Sequence, residues 1–210
     1  MTKAPEQIST WTPHEIEMLN HVEVFLNKPA IMKKGEFFLN AFGERMIQAL
    51  AQSKIAFPSG TKRDKTQLAR GENNKGFPFL SLDIPQMFSK TEMFTYRTLF
   101  WWGHYLGFSL ILKGQHLPRY TNKLIENKNN LAESNIYLAT TPTPWEWSLD
   151  EKNFKKIDDL PDEEIQSLIE NIEYIKIIRI YPMNEPSFKS LNWVEAGITA
   201  WKDLSSITGD

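Results

Sequence analysis

The stretch FTYRTLFWWGHYLGFSLILKG, residues 94–114, is the most apolar part of the chain and decides its fold. A membrane-spanning helix needs about 20 mostly apolar residues, and this stretch nearly reaches that length. Arg97 lies near its start and His104 near its middle. Because an arginine inside a membrane span costs roughly 2.5–3.5 kcal/mol on insertion scales, we expect no membrane span here.

The period of the same stretch indicates a β-hairpin. From residue 94 to 102, two sets of aromatic, β-branched and leucine side chains alternate along the chain, which is typical of pleated sheet. Gly103 interrupts the run, and a second alternating set follows: Leu106, Phe108, Leu110 and Leu112. The sequence therefore predicts strands at 94–102 and 106–113, joined by a turn around 103–105.

Working outward from the hairpin, the sequence predicts an α+β fold with a mainly antiparallel sheet. Further strands are expected at 77–84, 136–141 and 175–181, with a short additional strand at 145–149. About five helices are expected: one from Thr12 onward, one within 35–53, and others near 118–129, 161–172 and 187–204. The whole chain, 1–210, is predicted to be a single domain with a flexible N-terminus at 1–11 and a long basic loop at 57–76.

The first predicted helix has a clear beginning and an apolar side. Thr12 and Glu15 match a capping box, with Pro13 at the first helical position. Apolar residues then recur at helical spacing, at positions 16, 19, 22 and 26. The spacing predicts an amphipathic helix.

Composition narrows the classes of function. The 210 residues include 24 basic and 26 acidic ones, a net charge of −2, which argues against a dedicated nucleic-acid-binding protein. The absence of cysteine excludes disulfides and thiolate chemistry and fits a reducing compartment, so we expect a cytoplasmic protein. His14, Glu17 and His21 lack the spacing of a zinc motif, and we expect neither a metal nor a cofactor.

The predicted basic loop is the first candidate for a binding site. Between residues 61 and 76, five basic residues stand against two acidic ones. Long loops in compact domains are often functional or disordered, and guanidinium groups match phosphate and carboxylate well. The loop either closes over an anion, through Arg63 and Arg70, or is a solvated mobile segment.

Arg97 is the second candidate, because an arginine in an aromatic strand must be paired, solvated or functional. Asp83, at the end of the neighbouring predicted strand, is a possible partner, which would make Arg97 structural. An Arg97 facing a cleft would instead bind an anion together with Arg63 and Arg70.

Two further side chains are candidates for proton transfer. His104 lies at the predicted hairpin turn and is a weak candidate, because one histidine alone does not make a catalytic site. Glu146 stands between Trp145 and Trp147, where an apolar pocket would raise its pKa. The alternative is that the tryptophans pack on the core while Glu146 points to solvent.

The sequence leaves three functions open. The first is binding of, or catalysis on, a small anionic ligand at the basic loop beside the aromatic sheet. The alternative is a non-catalytic protein-interaction or structural module, possibly a homo-oligomer, whose acidic or aromatic surface meets a partner. Nucleic-acid binding is the least favoured, because no recognition motif accompanies the basic residues. Whether the protein is an enzyme stays open.

Overall fold

The computed structural model describes residues 10–132 and 135–209. The predicted flexible N-terminus, residues 1–11, therefore lies almost wholly outside the described part. This described part contains seven strands: β1 (Gln67–Asn74), β2 (Phe77–Phe88), β3 (Met93–Trp101), β4 (Tyr105–Lys113), β5 (Ile136–Ala139), β6 (Phe154–Lys156) and β7 (Ile175–Pro182). They form one antiparallel sheet in the order β1-β2-β3-β4-β7-β5-β6.

Helices account for most of the remaining chain. They are α1 (Pro13–Leu19), α2 (Val22–Ala51), α3 (Leu117–Glu126), α4 (Lys128–Ala132), α5 (Asp162–Ile172) and α6 (Trp193–Leu204), with short 3₁₀ turns at Ile157–Asp159, Pro186–Ser190 and Ser205–Thr208. The predicted α+β fold with a mainly antiparallel sheet is confirmed. None of the helices in the described part is long and apolar enough to cross a membrane.

The hairpin β3–β4 lies at the centre of the sheet, as its sequence predicts. Its strands pair from Met93 opposite Lys113 to Trp101 opposite Tyr105. Gly103 takes a positive φ of 75° in the turn, a conformation that glycine adopts without a steric penalty. Because both faces of these strands are covered, almost every residue of the hairpin is buried.

One face of the sheet, here called the helix-covered face, packs against α2, α6, α3 and α5 in the larger core. Phe42 of α2 stands edge-on to both Tyr96 and Phe108. Gly197 allows α6 to approach closely, since an added Cβ would lie 2.4 Å from the Phe42 ring. The Tyr96 hydroxyl donates to the Gly197 carbonyl oxygen at 2.7 Å, which fixes α6 on the sheet.

The opposite face, here called the loop-covered face, has a smaller core of its own. The irregular segment 140–153, which connects β5 to β6 along the chain, crosses this face. Trp147 is buried there, and its carbonyl oxygen accepts a hydrogen bond from Tyr105 at 2.5 Å. The Trp101 ring packs in the same cluster, and its indole N–H donates to Asn74 at the tip of the β1–β2 hairpin.

Three local predictions need correction. Residues 67–74 of the predicted loop form strand β1, whose side chains are mostly exposed, so the sequence lacks the alternation that marks a half-buried strand. Residues 145–149 are not a strand, because their backbone is held by side chains, as described below. The boundary between the first two helices is at Asn20–His21, and α2 continues from Val22 through Pro29 to Ala51.

Candidate functional site

The loop-covered face carries a buried ion pair at the centre of the sheet. Asp83 of β2 and Arg97 of β3 are directly opposite in the register. The Arg97 Nε and Nη2 atoms each lie 2.7 Å from one carboxylate oxygen of Asp83, a bidentate pair. The side chains are 18% and 3% exposed, and the Trp145 ring covers the guanidinium at 4.8 Å. The sequence leaves Arg97 either paired with Asp83 in a structural role or facing a cleft to bind an anion. This geometry matches the structural pairing.

A lysine that sequence reasoning missed lies nearby on the same face. Lys176 of β7 is fully buried, and its ammonium lies 3.3 Å from the centroid of the Trp147 ring. It donates to the carbonyl oxygens of Pro144 and Glu146 at 2.9 and 2.6 Å. Burial lowers the pKa of Lys176 well below its ordinary value, and the positive charge of Arg97 adds to the effect. Lys176 thus anchors the segment 140–153 to the sheet.

Glu146 fastens the same segment to the β1–β2 hairpin. Its carboxylate accepts hydrogen bonds from the backbone N–H groups of Trp147 and Ser148 at 2.8 and 2.7 Å. Lys75, in the hairpin turn, bonds the same oxygen at 2.7 Å and the Ser148 hydroxyl at 2.6 Å. Burial alone would raise the pKa of Glu146, but the Lys75 ammonium and the two N–H groups outweigh it and lower the pKa to about 2. The idea of a general acid with a raised pKa is therefore wrong.

His104 lies in the β3–β4 turn, as predicted. Its ring stacks on Trp101, with centroids 3.7 Å apart and planes 3° from parallel, and the Phe77 ring stands edge-on at 4.7 Å. The Nδ1 atom lies 2.9 Å from the carbonyl oxygen of Trp102. These contacts make His104 part of the packing at the hairpin tip, and its role in proton transfer stays a prediction.

The structure does not bring the three predicted arginines together. Arg70 of β1 pairs with Glu72 at 3.0 Å and with Glu36 of α2 at 3.6 Å. Arg63 lies over the Phe57 ring at 5.1 Å, on the helix-covered side of the sheet, because Phe57 packs against Phe94. Arg97 is on the opposite face, so the sheet separates it from Arg63. Anion binding by these residues stays a prediction.

Several cavities open on the surface of the described part, and two of them have an arginine in their walls. The larger, about 650 Å³, lies where β7 runs beyond the end of β5, and its walls include Tyr137, Tyr181, Phe188 and Arg179. Arg179 is ion-paired with Asp203 at 2.8 Å. The other, about 380 Å³, lies between the end of α2 and residues 61–64, with Arg63 and Thr61 in its wall. Within the described residues, no group of three or more acidic or histidine side chains could hold a metal ion.

The most unusual surface is apolar and lies at the start of the described chain. We call residues 11–31, which comprise α1 and the first ten residues of α2, the N-terminal arm. No residue of the arm is buried, and the buried side of α2 begins only at Met32. Of the fifteen large apolar side chains exposed in the described part, ten belong to residues 11–37, with exposures of 41–75%. The apolar spacing of the first helix was visible in the sequence, but its lack of a covering element was not.

Comparison with known proteins adds no relative: no protein-family model matches this chain, and no curated protein matches it.

Proposed function

We propose that the protein is an interaction module, and that the N-terminal arm is the surface through which it meets another protein. The observation that supports this is the concentration of exposed apolar side chains at residues 11–37. Monomeric proteins rarely expose a continuous apolar patch of more than a few hundred Å², and larger patches mark interaction sites. This proposal develops the non-catalytic alternative that the sequence left open.

Helix stability gives a second reason for a partner. Isolated helices shorter than about 12–15 residues are marginal in water, and most helical stability in proteins comes from packing of the apolar side. The seven residues of α1 bury nothing, and ten residues of α2 extend beyond the core. A surface that covers the arm would supply the missing packing.

A photo-crosslinking amino acid in place of Phe25 tests the proposal in cells of the source organism. Phe25 is 73% exposed within the arm, whereas Phe77, 41% exposed at the start of β2, provides a matched control. We expect a light-dependent covalent adduct, heavier than the single chain, at position 25 and none at position 77. The absence of adducts at positions 25, 26 and 37 would contradict the proposal.

A second candidate function, binding of a small anion, is favoured by the surroundings of Arg63. Of the three predicted arginines, Arg63 is the one without a carboxylate within ion-pair distance in the described part of the chain. It lines the 380 Å³ cavity, together with Asp64, and this volume is within the usual range for ligand sites. Lys62 and Lys65 lie within two residues of Arg63 in sequence. The contact with Phe57 holds the guanidinium in place.

Thermal unfolding with inorganic phosphate, at ionic strength matched with chloride, tests the anion site. A ligand stabilises the fold by about 2.7 kcal/mol at a hundredfold excess over Kd. We expect the phosphate-induced rise in Tm to be equal in wild type and Arg70→Ala and to shrink in Arg63→Ala. If phosphate raises no midpoint beyond the chloride control, the anion site is to be abandoned. We propose no reaction, and a cytoplasmic location stays a prediction from the cysteine-free composition.

A further inference from the structure

We infer that the partner of the N-terminal arm is the arm of a second copy of this chain, and that the two α2 helices pair antiparallel across a two-fold axis. This inference rests on the proposed function and identifies the occupant of the surface.

The exposed side of α2 has the spacing of a helix-pairing surface. Val22, Phe25, Leu26 and Pro29 follow one another at i, i+3, i+4 and i+7, so they lie along one side of the helix. Phe37, 69% exposed, lies eleven residues after Leu26, on the same side of the helix as Leu26 and beyond the arm. Met32 and Leu39 follow Phe25 at steps of seven residues, on nearly the same side of the helix, and are fully buried. The apolar side of α2 is therefore covered by the sheet from Met32 onward and uncovered over the arm.

The size of the uncovered surface suits a stable dimer. At the exposures observed for residues 11–37, each large apolar side chain presents about 100 Å² to solvent. Val24 and Ile31 lie on the opposite side of α2 from Val22. The other eight side chains present on the order of 800 Å², which is comparable to the roughly 800 Å² that each partner contributes to a standard interface. A two-fold axis uses the same patch on both copies, so no second surface is needed.

The charges along the arm select the antiparallel direction and fit a second copy. Residues 11–27 contain three acidic residues and no lysine or arginine, whereas residues 28–34 contain three lysines and no acidic residue. In a parallel pair, like charges would face each other. In an antiparallel pair, the acidic residues within 11–27 of one copy meet the basic residues within 28–34 of the other, a stretch that extends just beyond the arm.

A specific pair of contacts follows from the helix period. Glu23 and Lys34 are both exposed and are eleven residues apart, which is about three helical turns and brings them onto the same side of α2. A two-fold axis between them places Glu23 of each copy beside Lys34 of the other, twice. Lys28 is not needed for these contacts, because it already bonds Glu72 of β1.

A membrane surface fits the arm less well than a second copy does. Helices that lie on anionic membranes carry lysine and arginine on their polar side. The ionisable side chains of residues 11–27 are Glu15, Glu17 and Glu23 with two histidines, His14 and His21. Such a surface would be repelled by anionic lipid headgroups at neutral pH.

Sedimentation velocity of the purified full chain tests the inference. We expect a dimer at micromolar concentration and a monomer for Leu26→Asp. Because Leu26 is 75% exposed and outside the core, this change should leave the core folded and reduce the helical circular dichroism by no more than the contribution of the arm. Glu23→Lys and Lys34→Glu should each weaken the dimer about tenfold, because each removes two attractions and creates two repulsions. The double variant should recover wild-type affinity, and Glu44→Lys, an exposed reversal on α2 outside the arm, should leave it unchanged.

Several results would overturn the inference. If Leu26→Asp leaves the dimer intact, the dimer forms through a surface other than the arm. If the single charge reversals do not change the affinity, the two helices are not antiparallel in this register. A wild-type monomer that sediments with vesicles of phosphatidylcholine and phosphatidylglycerol indicates a membrane surface instead. A monomer whose position 25 forms an adduct with a different protein in cells overturns the second copy alone and leaves the proposed function standing.

Discussion

Folding changes the charge state of Lys176. Burial lowers its pKa in the folded state below the ordinary value of 10.5. At pH values between the folded-state pKa and 10.5, the unfolded chain therefore binds a proton that the folded chain has released. The unfolding free energy therefore rises with pH across this window, as the cost of the buried charge is relieved. We expect wild type to gain stability relative to Lys176→Met as pH rises from neutrality towards 10.5, as measured by urea unfolding.

The control for this experiment is Lys155→Met, which removes a half-exposed lysine paired with Glu164. Other buried groups titrate equally in wild type and in both variants. The comparison therefore uses only the differences between their curves of unfolding free energy against pH. Parallel curves for wild type and Lys176→Met would show that Lys176 keeps an ordinary pKa in the fold.

Glu146 makes the opposite prediction on the acidic side. Its pKa falls from 4.5 to about 2 in the folded state, so its ionised form stabilises the fold above pH 4.5. That contribution is lost as pH falls through 2. We expect the stability advantage of wild type over Glu146→Gln to shrink between these values, whereas Glu164→Gln, in an exposed ion pair, should change stability little at any pH. An advantage that does not depend on pH would contradict the assignment.

At the level of elements, the hairpin β3–β4 should carry a large share of the stability. The Phe100 ring is 6% exposed and contacts Trp193 of α6, with centroids 5.3 Å apart. Phe100→Ala should lower the unfolding free energy by about 3–5 kcal/mol, while Phe77→Ala, at an exposed position, should cost less than about 1 kcal/mol. Urea unfolding of both variants provides the measurement, and similar losses would mean that burial does not decide the cost.

The sequence predicted those elements whose side chains carry a local pattern. The hairpin alternates aromatic and branched residues, and Asp83 and Arg97 could be paired because they lie on sequence-adjacent strands. Strand β1 was not predicted because an exposed edge strand needs no apolar side. The apolar stripe of the first helix was visible, but a stripe shows only that one side is apolar and not which element covers it.

The residues of the loop-covered face were harder to predict. Lys176 stands in the run IKIIRIY. Its hydrogen-bond acceptors, the carbonyl groups of Pro144 and Glu146, lie 32 and 30 residues earlier in the chain, so the local sequence does not indicate them. The bond from Lys75 to Glu146 spans 71 residues. A signal was nonetheless present: in a strand that is buried on both faces, any charged side chain must be held by specific partners.

At the scale of the whole molecule, one sheet separates two hydrophobic cores and belongs to both. The central strands β3, β4 and β7 contribute residues to each core, so neither core can lose its strands while the other remains folded. We therefore expect a single cooperative unfolding transition, in agreement with the predicted single domain.

Tryptophan fluorescence distinguishes the two cores, because Trp101 and Trp147 belong to the smaller one and Trp193 and Trp201 to the larger. Trp102 packs against the larger core and Trp145 covers Arg97 on the loop-covered face, so each is replaced together with the two tryptophans on its own side. Variants with phenylalanine at the tryptophans of one side report mainly on the other, and each is compared with its own far-ultraviolet circular dichroism. Within each variant we expect the two urea transitions to coincide, because the shared strands couple the cores. A fluorescence transition of the smaller core that precedes the loss of circular dichroism would mean that the segment 140–153 detaches first. Lys176 and Glu146, which anchor that segment to β7 and to the β1–β2 hairpin, would then be the contacts that yield first.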